Sequence, residues 1–345
     1  MSSAQKQHRT LAGKLFRLLG LLIVLMSFLS AWLLMDFQAF REAPLDLQDR
    51  STSLIVKPGN SLKSVAAELE QRGLLENRIY LLLLGRWLGL DAHIKAGEYS
   101  LQPGTNPEQL LRILAEGKVV QYVITLVEGH TFREVMARIG ENPVLEQTLE
   151  SHDPEEVMRA IGYPEQHPEG RFLPETYHFP RGTTDVQFLR RAYRNMETFL
   201  EASWRERDDG LPLQTPYEAL ILASIVEKET GVEEERTKIA GVFTRRLKTG
   251  MRLQTDPTVI YGIGESYDGD IRYRDLRTDT PYNTYTRSGL PPTPIAMPGK
   301  DAIRAVMHPA DGDELYFVSR GDGSHYFSAT LREHNRAVDR YQRNR

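Results

Sequence analysis

Glu227 and Glu229 close the apolar run Ala219-Leu220-Ile221-Leu222-Ala223-Ser224-Ile225-Val226 and are the residues of this chain best placed for acid-base chemistry. Each helical residue turns by about 100°, so the two side chains point roughly 200° apart and cannot work side by side in one cleft. Steps of three, four and seven back from Glu229 meet Val226, Ile225 and Leu222, whereas the same steps from Glu227 meet Ser224, Ala223 and Leu220. Glu229 continues the greasier stripe. A carboxyl partly buried among apolar groups keeps its proton nearer neutral pH, which is what a general acid for a glycosidic oxygen requires. The competing reading makes both glutamates solvated helix-end residues, continuous with Glu233-Glu234-Glu235, a run expected to face solvent.

Gln254, Tyr282, Asn283 and Tyr285 carry the donors, acceptors and flat faces that sugar rings use, so they are expected to line a groove. The alternative places the tyrosines in the core and Asn283 in a turn. Asp256 precedes Pro257 and either positions a ligand or makes a turn. A hydrolytic mechanism needs a second carboxylate at about 5–9.5 Å, and Asp256 and Glu175 are the candidates. His325 and His334 have no third ligand at a metal spacing, so neither a metal nor another cofactor is expected. No phosphate loop and no Ser-His-Asp signature is present.

The element carrying the glutamates is well started. Thr215 can cap it, Pro216 occupies the first turn, and Glu218 is the expected reciprocal partner of a capping box. Gly231 suits a left-handed stop. A helix is expected over 186–204, a longer helical region over 215–250, and strands and loops from there to the C-terminus. Pro154 to Pro180 reads as an ordered loop or clamp. The three prolines of Gly289-Leu290-Pro291-Pro292-Thr293-Pro294 suit a rigid cleft wall.

Upstream, Leu18 to Met35 contains no charge and would rise about 27 Å as a helix, close to the hydrocarbon thickness. Lys6, Arg9, Lys14 and Arg17 precede it without an acid, so the positive-inside rule places the N-terminus in the cytoplasm. A cleaved signal peptide is the competing reading, but the run exceeds the usual ~7–15-residue core. The net charge is −4, and removing the four basic residues ahead of the span leaves −8. Such an acidic exterior excludes nucleic acid as a natural partner. The absence of cysteine excludes disulfides and thiolate chemistry.

Between the span and the glutamates a pattern recurs at an offset of 70. Val56-Lys57-Pro58-Gly59-Asn60-Ser61-Leu62 precedes apolar Val65 and Leu69, and Leu126-Val127-Glu128-Gly129-His130-Thr131-Phe132 precedes Val135 and Ile139. Each reads as a strand, a glycine turn and a helix capped by Ser or Thr. A weaker third copy runs from Tyr99 through Gly104 to Leu110 and Leu114. These units resemble LysM modules, which bind N-acetylglucosamine polymers; generic α+β packing units are the alternative.

The string Ala223-Ser224-Ile225-Val226-Glu227-Lys228-Glu229-Thr230 resembles the endolytic murein transglycosylases. So do Arg246-Leu247, Gly250-Met251-Arg252-Leu253-Gln254-Thr255-Asp256-Pro257-Thr258-Val259-Ile260-Tyr261-Gly262 and Tyr282-Asn283-Thr284-Tyr285. Gly289 to Ala296, Pro298-Gly299, Leu315 to Val318 and His325-Tyr326-Phe327 follow in the family's order. The resemblance implies that Glu229 is catalytic; Gln254, Asp256, Tyr282, Asn283, Tyr285 and Glu227 are the expected substrate-binding residues. It implies cleavage of the bond between N-acetylmuramic acid and N-acetylglucosamine, leaving 1,6-anhydro ends; peptidoglycan glycan strands are the expected partner, with cell-wall synthases as further candidates. A hydrolytic muramidase or glucosaminidase and a non-enzymatic peptidoglycan-binding scaffold are the alternatives.

The expected fold class is α+β. Residues 1–17 form a cytoplasmic tail, 18–35 a transmembrane helix, 36–52 a tether, 53–153 a LysM-like peptidoglycan-binding region, and 154–345 a larger, helix-rich catalytic domain outside the inner membrane.

Overall fold

A computed structural model describes residues 3–343, with side chains from Phe16 onward, so Lys6, Arg9 and Lys14 of the expected tail lie outside the described side chains. The chain is a mixture of helices and short two-stranded sheets. It opens with α1 (Ser3–Glu42), of which Phe16–Glu42 is long and apolar enough to cross a membrane. The leucines from Leu18 to Leu34 and Phe28 are exposed, which fits a single-pass anchor.

The segment expected to be an irregular tether, 36–52, is helical to Glu42 and irregular but packed over 43–51. The helix continues through Glu42, and Phe37 and Phe40, three residues apart on one face, both meet Tyr80 edge-on at about 5.5 Å. Leu45 and Leu47 are buried, and Leu45 N–H donates to Thr105 O at 2.8 Å. An ion pair joins Arg41 to Glu108. Sequence polarity concealed this docking because the apolar residues involved are few and spaced for a helix end.

The first of two compact units ends at Gln121. After α1 it holds β1 (Thr52–Val56), α2 (Leu62–Gln71), α3 (Arg78–Trp87), β2 (Gly97–Leu101) and α4 (Pro107–Glu116). β1 and β2 pair antiparallel, Leu54 opposite Tyr99, and alternate residues Leu54, Val56, Tyr99 and Leu101 face the core. The expected Ser61 cap forms as a reciprocal capping box on α2, and Asn106, for which no cap was expected, makes one in the weaker copy.

The second copy of the pattern lies in the second compact unit, Tyr122–Arg345, so the boundary falls at 121 and not near 153. β3 (Gln121–Thr125) leads to α5 (Phe132–Gly140), capped by Thr131 as expected, and then to α6 (Pro154–Ile161), β4 (Thr176–Pro180) and α7 (Asp185–Arg205). β3 pairs with β4. Phe132, Val135, Met136 and Ile139 pack into one cluster with Phe172, Phe179, Phe188 and Tyr193. The repeat dictates a local strand-turn-helix, but residues 40–60 positions downstream decide where its apolar face is buried.

The larger core surrounds α8 (Pro216–Glu229), in which every residue from Ala219 to Val226 is buried. Thr215 caps it by accepting Glu218 N–H, yet the Glu218 carboxylate takes Gln214 N–H and not that of the cap residue. Gly231 is not left-handed: Thr230 turns extended at φ −145°, and its hydroxyl accepts Val232 N–H at 2.9 Å. The region expected to continue helically to residue 250 is therefore broken by a 3-10 turn, Glu233–Glu235, before α9 (Arg236–Lys248). There follow α10 (Asp256–Ile263), α11 (Lys300–Met307), the hairpin β5 (Tyr316–Ser319) and β6 (His325–Ser328), and α12 (Leu331–Val338). α7, α9, α10 and α11 pack around α8.

Candidate active site

A cavity of 460 Å³ opens at the C-terminal end of α8. α8 supplies Glu229, α9 supplies Arg246, and the turn into α10 supplies Gln254, Thr255 and Asp256. The opposite wall is Tyr316 to Ser319 of β5, His325 of β6 and His334 of α12.

Glu229 is the electrostatic centre. Burial against the core disfavours its ionised form and pushes its carboxyl up to about 7, aided by the charge of Asp256. The Thr255 hydroxyl donates to Glu229 Oε1, which works in the opposite direction, as do the electrostatic effects of nearby His325 and Arg246. The carboxyl is therefore poised between holding a proton and releasing it near neutral pH.

Thr255 is itself held. Its N–H donates to Thr284 Oγ1 at 3.1 Å, its carbonyl accepts the Thr258 hydroxyl at 2.7 Å, and Thr258 and Thr284 hydroxyls meet at 2.9 Å. The preceding Gln254 has φ +49°, a left-handed conformation that costs a non-glycine residue about 1 kcal/mol or more. Arg246, buried between these segments, donates to Leu253 O and Leu315 O at 2.6 Å each. One guanidinium thus clamps the strained turn to the β5 wall.

Replacing Thr255 with Val should remove a hydrogen bond to the ionised carboxyl, worth about 1.5–3 kcal/mol for a charged acceptor, and so raise the pKa of Glu229 by about one unit or more. A pH profile of kcat/KM would show its alkaline limb displaced upward. An unmoved limb would mean that Thr255 does not act on the Glu229 carboxylate.

Residues 54–340 match the profile of the YceG-like family. The chain belongs to this family. A YceG-like protein of Listeria monocytogenes has a similar solved structure, with a TM-score of 0.53 and 32% identity over 84% of this chain and 99% of that one. Among relatives, a Bacillus subtilis protein named endolytic murein transglycosylase is 29% identical over 86% of this chain and 87% of its own length. A Streptococcus pneumoniae protein of the same name is 27% identical over 92% of this chain and 63% of its own length.

In this YceG-like chain the residues expected at the site are only partly brought together. Gln254, Asp256 and Tyr285 line the Glu229 cavity, and the Tyr285 hydroxyl donates to Asp256 at 2.6 Å. Asp256 also begins α10, as the turn reading expects. Tyr282 faces a different cavity, with its hydroxyl on Thr293. Asn283 is 1% exposed; its amide donates to Asp275, Leu276 and Thr278 carbonyls and accepts Tyr285 N–H. It builds the turn and lines no groove. Glu227 points away from the cavity, accepting Gly299 N–H at 2.9 Å.

Glu175 pairs with Lys300 at 2.9 Å and does not line the cavity, so Asp256 is the only second carboxylate among its lining residues. Glu235, expected in solvent, is 8% exposed and accepts both His325 N–H and His325 Nδ1–H, at 2.8 and 2.7 Å. His334 stacks on Tyr316 instead of joining His325. No cluster able to hold a metal occurs among the described residues. The expected cleft wall at 289–292 lines a separate cavity beside Thr215 and Glu218.

The motif positions Arg246 and Thr255 lay within the recognised strings without a role. Their chemistry is visible only once α8, α9 and the turn into α10 converge.

Proposed function

We propose that this chain is a peptidoglycan lytic transglycosylase that cuts within glycan strands from the outer face of the cytoplasmic membrane. The observation that carries the reading is a single carboxyl, Glu229, raised to about 7 in a cavity whose other carboxylate, Asp256, already accepts the Tyr285 hydroxyl. The names of the Bacillus and Streptococcus relatives point to the same reaction.

One such carboxyl can serve both steps. Protonated Glu229 gives its proton to the oxygen joining N-acetylmuramic acid to N-acetylglucosamine, and the bond from the muramoyl C1 to that oxygen breaks. The resulting carboxylate, held by the Thr255 hydroxyl, then takes the proton of the muramoyl C6 hydroxyl while that oxygen bonds to C1. The ring closes as a 1,6-anhydro sugar, no water is consumed, and Glu229 is protonated again. α1 would hold the site beside newly made strands, where cutting ends their elongation and contact with cell-wall synthases is possible. The β1-α2-α3-β2 unit would bind glycan as a LysM-like module.

Mass spectrometry of fragments released from purified sacculi by the full-length protein in detergent tests this. Anhydro-muramoyl ends are expected, each lighter by one water than the reducing ends a hydrolase leaves. With that outcome, Asp256→Asn should retain activity within about tenfold, because no nucleophile or water-activating base is removed. Reducing ends together with a loss of a hundredfold or more in that variant would instead assign a hydrolase with Asp256 as its second carboxylate.

A further inference from the structure

A second cavity, of 670 Å³, lies on the other flank of α10 and does not contain Glu229. At its base is Glu169, only 3% exposed, which neither the fold expectation nor the proposed reaction uses. Its Oε1 accepts Phe132 N–H at 2.9 Å and its Oε2 accepts the Tyr261 hydroxyl at 3.0 Å. Burial pushes this carboxyl up to about 7, so it can offer a hydrogen-bond donor as well as acceptors near neutrality. Tyr261 meets Tyr282 edge-on at 4.8 Å, and Tyr267 stands at the rim.

The two cavities are neighbours through the chain itself. Glu229 lines the first and Lys228 the second; Asp256 lines the first and Pro257 the second. Consecutive Cα atoms lie 3.8 Å apart, so the end of α8 and the start of α10 form a wall common to the two cavities. A linear ligand held at Glu229 therefore has a second concave surface within reach.

Charge selects the ligand. Glu134, Glu169 and Glu265 oppose Arg133 and Lys228 in the lining, and Arg133 is already paired with Glu265. The lining carries three carboxyls against two cations, and with Glu169 protonated the charges balance, so it offers no excess of positive charge to the anionic stem peptides of a cell wall. Tyrosine faces and carboxyl groups suit a neutral ring bearing hydroxyl and acetamido groups.

We propose that this cavity is a second carbohydrate subsite, which takes a neutral N-acetylhexosamine of the same glycan strand while a more distant bond is cut at Glu229. The inference rests on the transglycosylase reading above. Holding a sugar here makes cleavage internal to a strand, because a short oligomer cannot fill both cavities.

Calorimetric titration of full-length protein in detergent, with Glu229→Gln to prevent turnover, would use N-acetylglucosamine hexamer and peptide-free and peptide-bearing glycan strands as probes. Tyr267→Ala, at the half-exposed rim, and Tyr261→Phe, which keeps the ring but removes the donor to Glu169, are each expected to weaken binding of hexamer and of both strands about tenfold. Thermal melting of the Tyr267→Ala variant should match the Glu229→Gln parent, whereas Tyr261→Phe leaves the buried Glu169 Oε2 without its donor and should melt lower. Unchanged affinity in the Tyr267→Ala variant at unchanged melting temperature would overturn the subsite. An effect confined to peptide-bearing strands would make this a peptide site and overturn the sugar assignment. A Glu229→Gln parent that binds none of the probes would sink the glycan reading itself, an outcome distinct from parent binding that the variants leave intact.

Discussion

Replacing Glu229 with Gln should reduce turnover of glycan strands by about a thousandfold, within the 100- to 10,000-fold range of positioned acid-base groups. The amide keeps the shape of the side chain and can still accept the Thr255 hydroxyl, but it neither delivers nor removes a proton. Stability should move the other way. The folded carboxyl titrates near 7 because burial disfavours its charge, whereas the unfolded one titrates in the ordinary glutamate range. A raised acid makes the folded state lose stability as pH climbs from the unfolded value through the folded one, so at pH 8 the native protein carries that cost and the variant does not. Turnover and thermal melting at pH 8, measured together, are expected to show lost activity with an equal or higher melting temperature. More than a tenth of native activity in the variant would remove Glu229 from the chemistry. The same ionisation predicts that native kcat/KM declines as pH rises above about 7, where the acid form is depleted.

Arg246→Met should be almost as damaging, by a different route. The guanidinium is 7% exposed and binds Leu253 O and Leu315 O, so methionine fills much of its volume while leaving two carbonyls without their donor. Each orphaned polar group costs about 1–3 kcal/mol, giving an expected loss of several kcal/mol in stability. The turn that holds Gln254 left-handed would relax and carry Thr255 away from Glu229, and activity should fall by a hundredfold or more. Removing this positive charge also takes away a stabiliser of the Glu229 carboxylate, so the residual activity should decline at a higher pH than in the native protein. Arg246→Lys cannot reproduce the forked geometry and should rescue the pH profile better than the stability. A variant with native melting temperature and native rate would show that the clamp is dispensable.

Much of this protein is written locally in its sequence. The uncharged run before Met35, the Thr215 and Thr131 caps, the glycine turns ahead of α2 and α5, and the helix over 185–205 all follow from contacts within a few residues. That Glu229 and not Glu227 lines the cavity was also legible, although a greasier stripe does not by itself separate them. α8 is buried on every side, so both glutamates extend buried stripes. What separates them is that Glu229 ends beneath Thr255 and Arg246, while Glu227 ends against Gly299.

Only the tertiary structure could settle those surroundings, because they join positions 17 to 72 residues apart along the chain. Asn283 and Tyr285 are near neighbours with similar hydrogen-bonding capacity, yet one is spent on a buried turn and the other faces the cavity. Glu235 and Glu234 are adjacent, yet Glu235 turns inward to orient His325. The two copies of the strand-turn-helix pattern diverge for the same reason: period and caps specify an element, while the burial of its apolar face depends on which distant surface is available. Burial also governs whether a carboxyl is a solvated ion or a proton donor near neutral pH, which makes Glu229 and Glu169 chemically alike despite unrelated local sequences.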